Sequence, residues 1–305
     1  MSEPAILARD LRYEARGRGI VAGVSLAVAA GEIFGVVGAD GAGKSSLLRL
    51  LTGEWPASGG SVRVLGLAPG DTALRERIAY MPQTFGQYPD LTVRENLDFY
   101  AALQGLRGAE AVQRARQLLA STGLAGFEGR RAGQLSGGMM QKLALACALV
   151  SRPRAMFLDE PTTGVDPVSR RAFWQLLEGV RSEGVAIVYA TANMAEAERC
   201  DRIAMMEQGR FVQEGRGADL VAAVRSRLFV ATGAQVRALV PLLRARPEVE
   251  LAFPMGRQVR VWLRPQADAT ALQGALGPSC SLAPRTPELE DVALRALATK
   301  EPARA

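Results

Sequence analysis

The residues best suited to do chemistry form one run, Gly38-Ala39-Asp40-Gly41-Ala42-Gly43-Lys44-Ser45, which fits G-x-x-x-x-G-K-[ST]. A short apolar segment precedes it, Glu32–Val37, and a helical pattern follows, Lys44–Leu51. The residue types suit a phosphate cradle. Glycines let backbone N–H groups turn inward and approach phosphate oxygens closely. A helix N-terminus adds partial positive charge. Gly38, Asp40, Gly41, Ala42, Gly43, Lys44, Ser45 and the following Ser46 are therefore the candidate nucleotide contacts, with Lys44 aimed at the β- and γ-phosphates and the Ser45 hydroxyl at Mg²⁺. Lys44 is one of only three lysines in a chain whose other basic residues are all arginine, so a lysine here is a specific choice.

A pair of carboxylates, Asp159-Glu160, ends a second apolar run, Ala155–Leu158. Open parallel sheets bind ligands at the carboxyl ends of their strands, which places this pair beside the phosphate loop. Asp159 is the candidate Mg²⁺ ligand, and Glu160 the candidate group to polarise an attacking water.

The surrounding sequence supplies elements able to hold both motifs. Ala5–Ala30 reads as β-rich segments around a turn at Arg16–Gly19. Gly53–Gly60 is a Gly- and Pro-containing stretch, and Arg77–Met81 a short strand. From Thr92 to Val150 the pattern is helical: Leu97, Tyr100, Ala101 and Leu103 share one face, Val112, Ala115, Leu118 and Leu119 another, and Gln141–Val150 forms a third helix. Ser169–Glu183 reads as an amphipathic helix and Val185–Ala190 as a strand. Strands alternating with helices predict an α/β fold with a parallel sheet. The expected division is a phosphate-loop domain over 1–222, with a helical subdomain inserted at about 88–148, then a small α+β domain over 225–299. In the latter, strands are expected at Leu228–Ala231, near Glu250–Phe253 and at Gln258–Leu263, with helices over Ala234–Ala245 and Thr286–Ala298.

Composition bounds the function. The 305 residues are 48% hydrophobic and 22% charged, an ordinary globular balance. No apolar run approaches the roughly 20 residues that span a bilayer, and no basic-then-apolar leader opens the chain. Net charge is +6, but no run of five like charges occurs and aromatics make up only 6%, so nucleic acid is not the expected partner. Three scattered cysteines argue against a disulfide framework or zinc site. The chain has no histidine, which removes every histidine-dependent mechanism from it.

A third motif, Leu135-Ser136-Gly137-Gly138, lies between the first two. In that order and spacing, the three motifs resemble the ABC ATPases over roughly Ala5–Gly215. The resemblance implies a RecA-like P-loop NTPase core with an antiparallel β subdomain and an inserted helical subdomain. It implies ATP and Mg²⁺ as cofactors, integral membrane permease subunits as partners, and a second ATPase domain in a head-to-tail sandwich. The expected location is cytoplasmic, on the inner face of the membrane. Ser136, Gly137 and Gly138 match the family's contacts to the γ-phosphate held by the opposite subunit, consistent with a Ser-Gly-Gly turn at a helix N-terminus. Gln83 matches the glutamine that contacts Mg²⁺ and senses the membrane subunit. Asp166 matches the loop that crosses the dimer interface.

Finer features are similar to the drug- and lipid-export branch: Gln87–Leu97, Glu196–Ile203 and the tail Thr286–Val292. The match resembles the first ATPase half of bacterial exporter subunits that carry two. Two positions depart from the family. Ala192 stands where the family places a histidine that holds the γ-phosphate and orients the water, and alanine can do neither. Ungapped alignment puts Ala15 at the adenine-stacking aromatic, leaving Tyr13, two residues away, as the candidate. These departures lead to the expectation of an ATPase subunit whose own site is degenerate. The alternative is a non-catalytic nucleotide-binding module that regulates a partner ATPase.

Overall fold

A computed structural model describes residues 3–84, 86–224, 227–233, 235–276 and 279–298. The expected domain limits at Met1, Arg225 and Thr299 lie outside these residues. The chain divides after Phe211 into two compact units.

The first unit opens with a long antiparallel pair, β1 (Ile6–Ala15) and β2 (Arg18–Val28), turning at Arg16-Gly17. Next come β3 (Ile33–Val37), α1 (Lys44–Thr52), β4 (Gly59–Val64), α2 (Thr72–Arg75) and β5 (Ile78–Met81). Three helices follow, α3 (Val93–Leu103), α4 (Gly108–Thr122) and α5 (Gly137–Ala148). The chain then returns to the sheet through β6 (Ala155–Asp159), α6 (Pro167–Ser182), β7 (Ala186–Thr191), α7 (Met194–Ala197), β8 (Arg202–Glu207) and β9 (Arg210–Gly215), the strand within which the division falls.

The six-stranded sheet runs β5-β6-β7-β3-β8-β9, and its neighbouring pairs from β5 to β8 are parallel. β3, β6 and β7 are buried at every residue, which is why their sequences read as unbroken apolar runs rather than alternating ones. A separate antiparallel sheet, β2-β1-β4, shares a core with α1, in which Ile6, Leu11, Val24, Leu47, Leu48 and Phe157 are buried. β4 was hidden in the sequence because Gly59-Gly60 reads as loop, although Gly60 is held in the left-handed region against the backbone of Asp10.

Helices α3, α4 and α5 build a second core from Val93, Leu97, Leu118, Leu119, Leu143 and Cys147. α3 begins with a capping box, in which Thr92 and Glu95 satisfy each other's backbone N–H. Leu103 and Val112, which the helical spacing placed with the core residues, are instead exposed at the helix surfaces.

The second unit contains α8 (Gly217–Ala222), β10 (Leu228–Gly233), a 3₁₀ turn at Val236–Leu239, α9 (Val240–Arg244), β11 (Val249–Met255), β12 (Gln258–Leu263), α10 (Ala269–Leu276), β13 (Cys280–Pro284) and α11 (Leu289–Ala298). Its four strands are antiparallel in the order β11-β12-β10-β13. A βαββαβ chain with that order is the ferredoxin-like arrangement. α10 and β13 were not anticipated, and the predicted terminal helix starts at Leu289 rather than Thr286.

Candidate functional site

β3 delivers the phosphate loop from the centre of the sheet, and Gly38 N–H bonds to the Thr191 carbonyl on the neighbouring strand β7. A side chain at Gly38 would meet the Met206 carbonyl at 2.3 Å, so only glycine lets the loop leave the sheet here. Gly43 ends the loop with φ 109°, another conformation that favours glycine, and α1 starts immediately after it. No side chain caps α1, so the N–H groups at its start remain available to an anion.

Lys44 is 4% exposed. Its ammonium bonds to the loop's own carbonyls, Gly38 at 2.8 Å and Ala39 at 3.1 Å. It also pairs with Glu160 Oε1 at 3.0 Å, while Asp40 is more distant at 3.9 Å. The two sequence motifs therefore meet through Lys44 and Glu160. Glu160 Oε2 accepts a hydrogen bond from Thr163 Oγ1 at 3.0 Å, and its backbone N–H bonds to Ala190. Its φ of 48° is uncommon for a residue with a side chain and is held by these contacts.

Asp159 ends β6 and is 2% exposed. Burial raises its pKa above the ordinary carboxylate range, and the neighbouring Ser45 hydroxyl partly offsets this. Oδ2 accepts from Tyr80 Oη at 3.4 Å, whereas Oδ1 is buried without a hydrogen-bond partner. A buried carboxylate oxygen in want of a partner, next to a serine hydroxyl, fits a hard cation such as Mg²⁺. Gln83 follows β5, whose register with β6 puts it level with Glu160, but its side chain is exposed.

Ser136 caps α5 by accepting from Met139 N–H at 3.3 Å. Among the described residues no hydrogen bond or ion pair joins Ser136, Gly137 or Gly138 to the phosphate loop. Gly138 faces α6 instead. A Cβ on Gly138 would lie 2.3 Å from Ser169 Oγ, with Asp166 Oδ2 at 3.7 Å. Asp166 caps α6, accepting from Val168 N–H at 3.0 Å and Ser169 N–H at 2.9 Å. Hydrogen bonds from Ser169 hold its carboxyl below the usual carboxylate range.

Tyr13 is stacked on Trp55, ring centres 5.0 Å apart and planes 27° from parallel. The Arg49 guanidinium lies 4.7 Å from the centre of the Trp55 ring and also bonds to Tyr80. Burial, followed by the nearby Asp159 charge, pushes the Tyr80 hydroxyl up to about 12. This chain from Trp55 through Arg49 and Tyr80 to Asp159 was not found in the sequence. Arg49 and Trp55 are near neighbours in the chain, but Tyr80 lies well beyond them and Asp159 a further 79 positions on, and the four fit no spacing pattern.

Ala192 follows β7 and lines a cavity of about 330 Å³ with Asp40, Glu160, Thr163, Gly164 and Asn193. A second unanticipated group lies against the same cavity. Glu196, noticed in the sequence only as part of a branch resemblance, is 4% exposed and surrounded by Thr162, Tyr189, Thr191 and Arg170.

A parallel sheet with a phosphate loop at its central strand and a carboxylate pair on a nearby strand end defines a P-loop nucleotide-binding protein. Comparison with known proteins narrows that class. The ABC transporter family profile matches residues 21–163. The chain is 36% identical over 292 residues to the Nod factor export ATP-binding protein I of Rhizobium etli, covering 91% of this chain and 88% of that one. It is 39% identical over 287 residues to the probable multidrug ABC transporter ATP-binding protein YbhF of Escherichia coli, covering 92% of this chain and 50% of YbhF, so it spans about half of that relative's length. Among solved structures, the dimeric post-hydrolysis state of the ATP-binding cassette MJ0796, bound to ADP and Pi, aligns with a TM-score of 0.63 and 26% identity, over 69% of this chain and 98% of that one. The chain belongs to the ATP-binding proteins of ABC transporters. Among the described residues, no helix is long and apolar enough to cross a membrane.

Proposed function

We propose that this chain binds and hydrolyses ATP to power export through separate membrane permease subunits, and that its own ATP site is weakened by Ala192. The similarity to a Nod factor export protein and a multidrug protein supports the direction of transport. In this reading the ATPase domain runs to about residue 222 and works on the inner face of the membrane, opposite a second ATPase domain.

The residues divide the work as follows. Those N–H groups of the loop Gly38–Gly43 that are not held within the fold, as Gly38 is by Thr191, bind the phosphates together with those of Lys44, Ser45 and Ser46, and Lys44 leaves Glu160 to reach them. Ser45, Asp159 and Gln83 would hold Mg²⁺, which would supply positive charge to neutralise the phosphates. Among the described residues no three His, Cys, Asp or Glu side chains converge on one point, which suits a cation brought in with the nucleotide. Released from Lys44, Glu160 orients the attacking water. Ser136, Gly137, Gly138 and Asp166 serve the nucleotide of the opposing domain. Tyr13 is the aromatic closest in sequence to the adenine position, although its ring is already stacked on Trp55.

The observation that carries the degenerate-site reading is the cavity beside Glu160, where Ala192 presents no donor to a γ-phosphate. Losing one such donor costs on the order of 100-fold in rate. The test is Mg²⁺-dependent ATP turnover of the chain alone, with Ala192→His in parallel. Weak turnover that histidine raises by about 100-fold supports the reading. Robust turnover in the unmodified chain overturns it. If both proteins bind ATP and neither turns it over, the chain is a non-catalytic module that regulates a partner.

A further inference from the structure

Glu196 is a buried carboxylate for which the proposed chemistry has no use. Its Oε2 accepts from Tyr189 Oη at 3.0 Å and from Thr191 Oγ1 at 2.8 Å. Its Oε1 accepts from Thr162 Oγ1 and lies 3.3 Å from Arg170 Nε. Three hydroxyl donors and one guanidinium charge, from three different segments, thus converge on two oxygens.

Three of these partners, Thr162, Thr191 and Arg170, line the nucleotide cavity. The Thr191 hydroxyl also accepts from Asn193 N–H at 2.9 Å, which pins the turn that carries Ala192. The Thr191 carbonyl accepts from Gly38 N–H, the first residue of the phosphate loop. Thr162 lies between Glu160 and the turn leading to Asp166. Arg170 donates to the Val165 carbonyl at 3.0 Å and so braces that turn from the other side. Tyr189 is locked from behind by Trp174, with ring centres 4.7 Å apart. Burial, then the charge of Glu196, raises the Tyr189 pKa well above its ordinary value, so the phenol keeps the proton it donates.

We propose that Glu196 is a positioning residue that holds the Ala192 turn, the start of the phosphate loop and the Thr162–Asp166 segment in one register around the γ-phosphate cavity. Glu196 touches no nucleotide and acts only through Thr191, Thr162 and Arg170. The proposal rests on the reading of this cavity as the ATP site. It follows that the scaffold for a histidine at position 192 is intact, and that alanine there removes one functional group without disturbing its support.

The test has two arms, both on the full chain. The first is amide hydrogen exchange without nucleotide, which needs no catalysis. Glu196→Gln cannot accept at both ends, so exchange should speed up in peptides covering Tyr189–Ala195 and Thr162–Ser169, with the helical core of α3–α5 unchanged. Thr191→Val should loosen the first segment, and Thr191→Ser, which keeps the hydroxyl, should restore it. Unchanged exchange at both segments in Glu196→Gln overturns the proposal, whatever the ATPase result.

The second arm uses the Ala192→His chain, in which turnover is read directly. Adding Glu196→Gln should lower kcat by about 10- to 100-fold and leave the Kd for a fluorescent ATP analogue within about twofold, as expected of displaced rather than missing groups. A fall in thermal stability with kcat and Kd unchanged would mean that Glu196 only supports the fold, and the proposal would fail. If Ala192→His itself is inactive, the degenerate-site reading fails, and the exchange arm still decides the role of Glu196.

Discussion

Replacing Glu160 with glutamine should tighten nucleotide binding. Lys44 and Glu160 form a 3.0 Å ion pair with side chains only 5% and 11% exposed. Lys44 cannot reach a phosphate without leaving that pair. A hydrogen bond to a charged group contributes about 1.5–3 kcal/mol. Glutamine keeps the shape and can still accept one bond from Lys44, so the whole of that sum is not recovered. A net gain of about 1.4 kcal/mol corresponds to a tenfold lower Kd. Loss of a negative charge beside the triphosphate acts in the same direction. The assay is an equilibrium titration with a fluorescent non-hydrolysable ATP analogue in EDTA, which removes any contribution from cation binding. Repeating it at roughly 50 mM and 500 mM salt separates the buried pair from surface charge, since exposed charges are screened within a few ångströms at high salt. A Kd that is unchanged or higher in Glu160→Gln would refute the idea that the resting ion pair competes with nucleotide.

Two further outcomes follow from packing. Gly138→Ala should destabilise the first unit by about 1–3 kcal/mol, because the new methyl would overlap the Ser169 side chain, and Ser169→Gly should recover most of the loss in a thermal melt. Cys147, Cys200 and Cys280 are all buried. Burial pushes the Cys147 thiol up to about 12 and the Cys200 thiol higher still, so these two stay protonated as pH rises through 8. Native protein should therefore be inert to a disulfide reagent at pH 8 and should react at three thiols in guanidinium; rapid labelling of Cys147 or Cys200 in native protein would contradict the buried packing.

What could be read in the sequence follows from how local the physics is. The phosphate loop declares itself because its chemistry needs glycines, a lysine and a hydroxyl within eight consecutive positions. Asp159-Glu160 declares itself because a wholly buried strand must be apolar until it reaches the site. The Lys44–Glu160 contact is different, since 116 positions separate the partners and only the pairing of β3, β7 and β6 brings them together. Glu196 and Tyr80 were passed over for the same reason: each is one polar residue whose meaning depends on strands elsewhere in the chain. In the second unit, α10 is short and contains Gly274, which blurred its helical pattern, and β13 has one fully buried residue and no clear alternation.

Within the four-stranded sheet of the second unit, β11 and β13 are the outermost strands, and each carries a proline, Pro254 and Pro284. Proline offers no N–H to a neighbouring strand and is one of the devices by which sheet margins resist unwanted pairing. Stray strand exchange between chains is a route to aggregates. These two prolines interrupt that route at both margins of the small sheet.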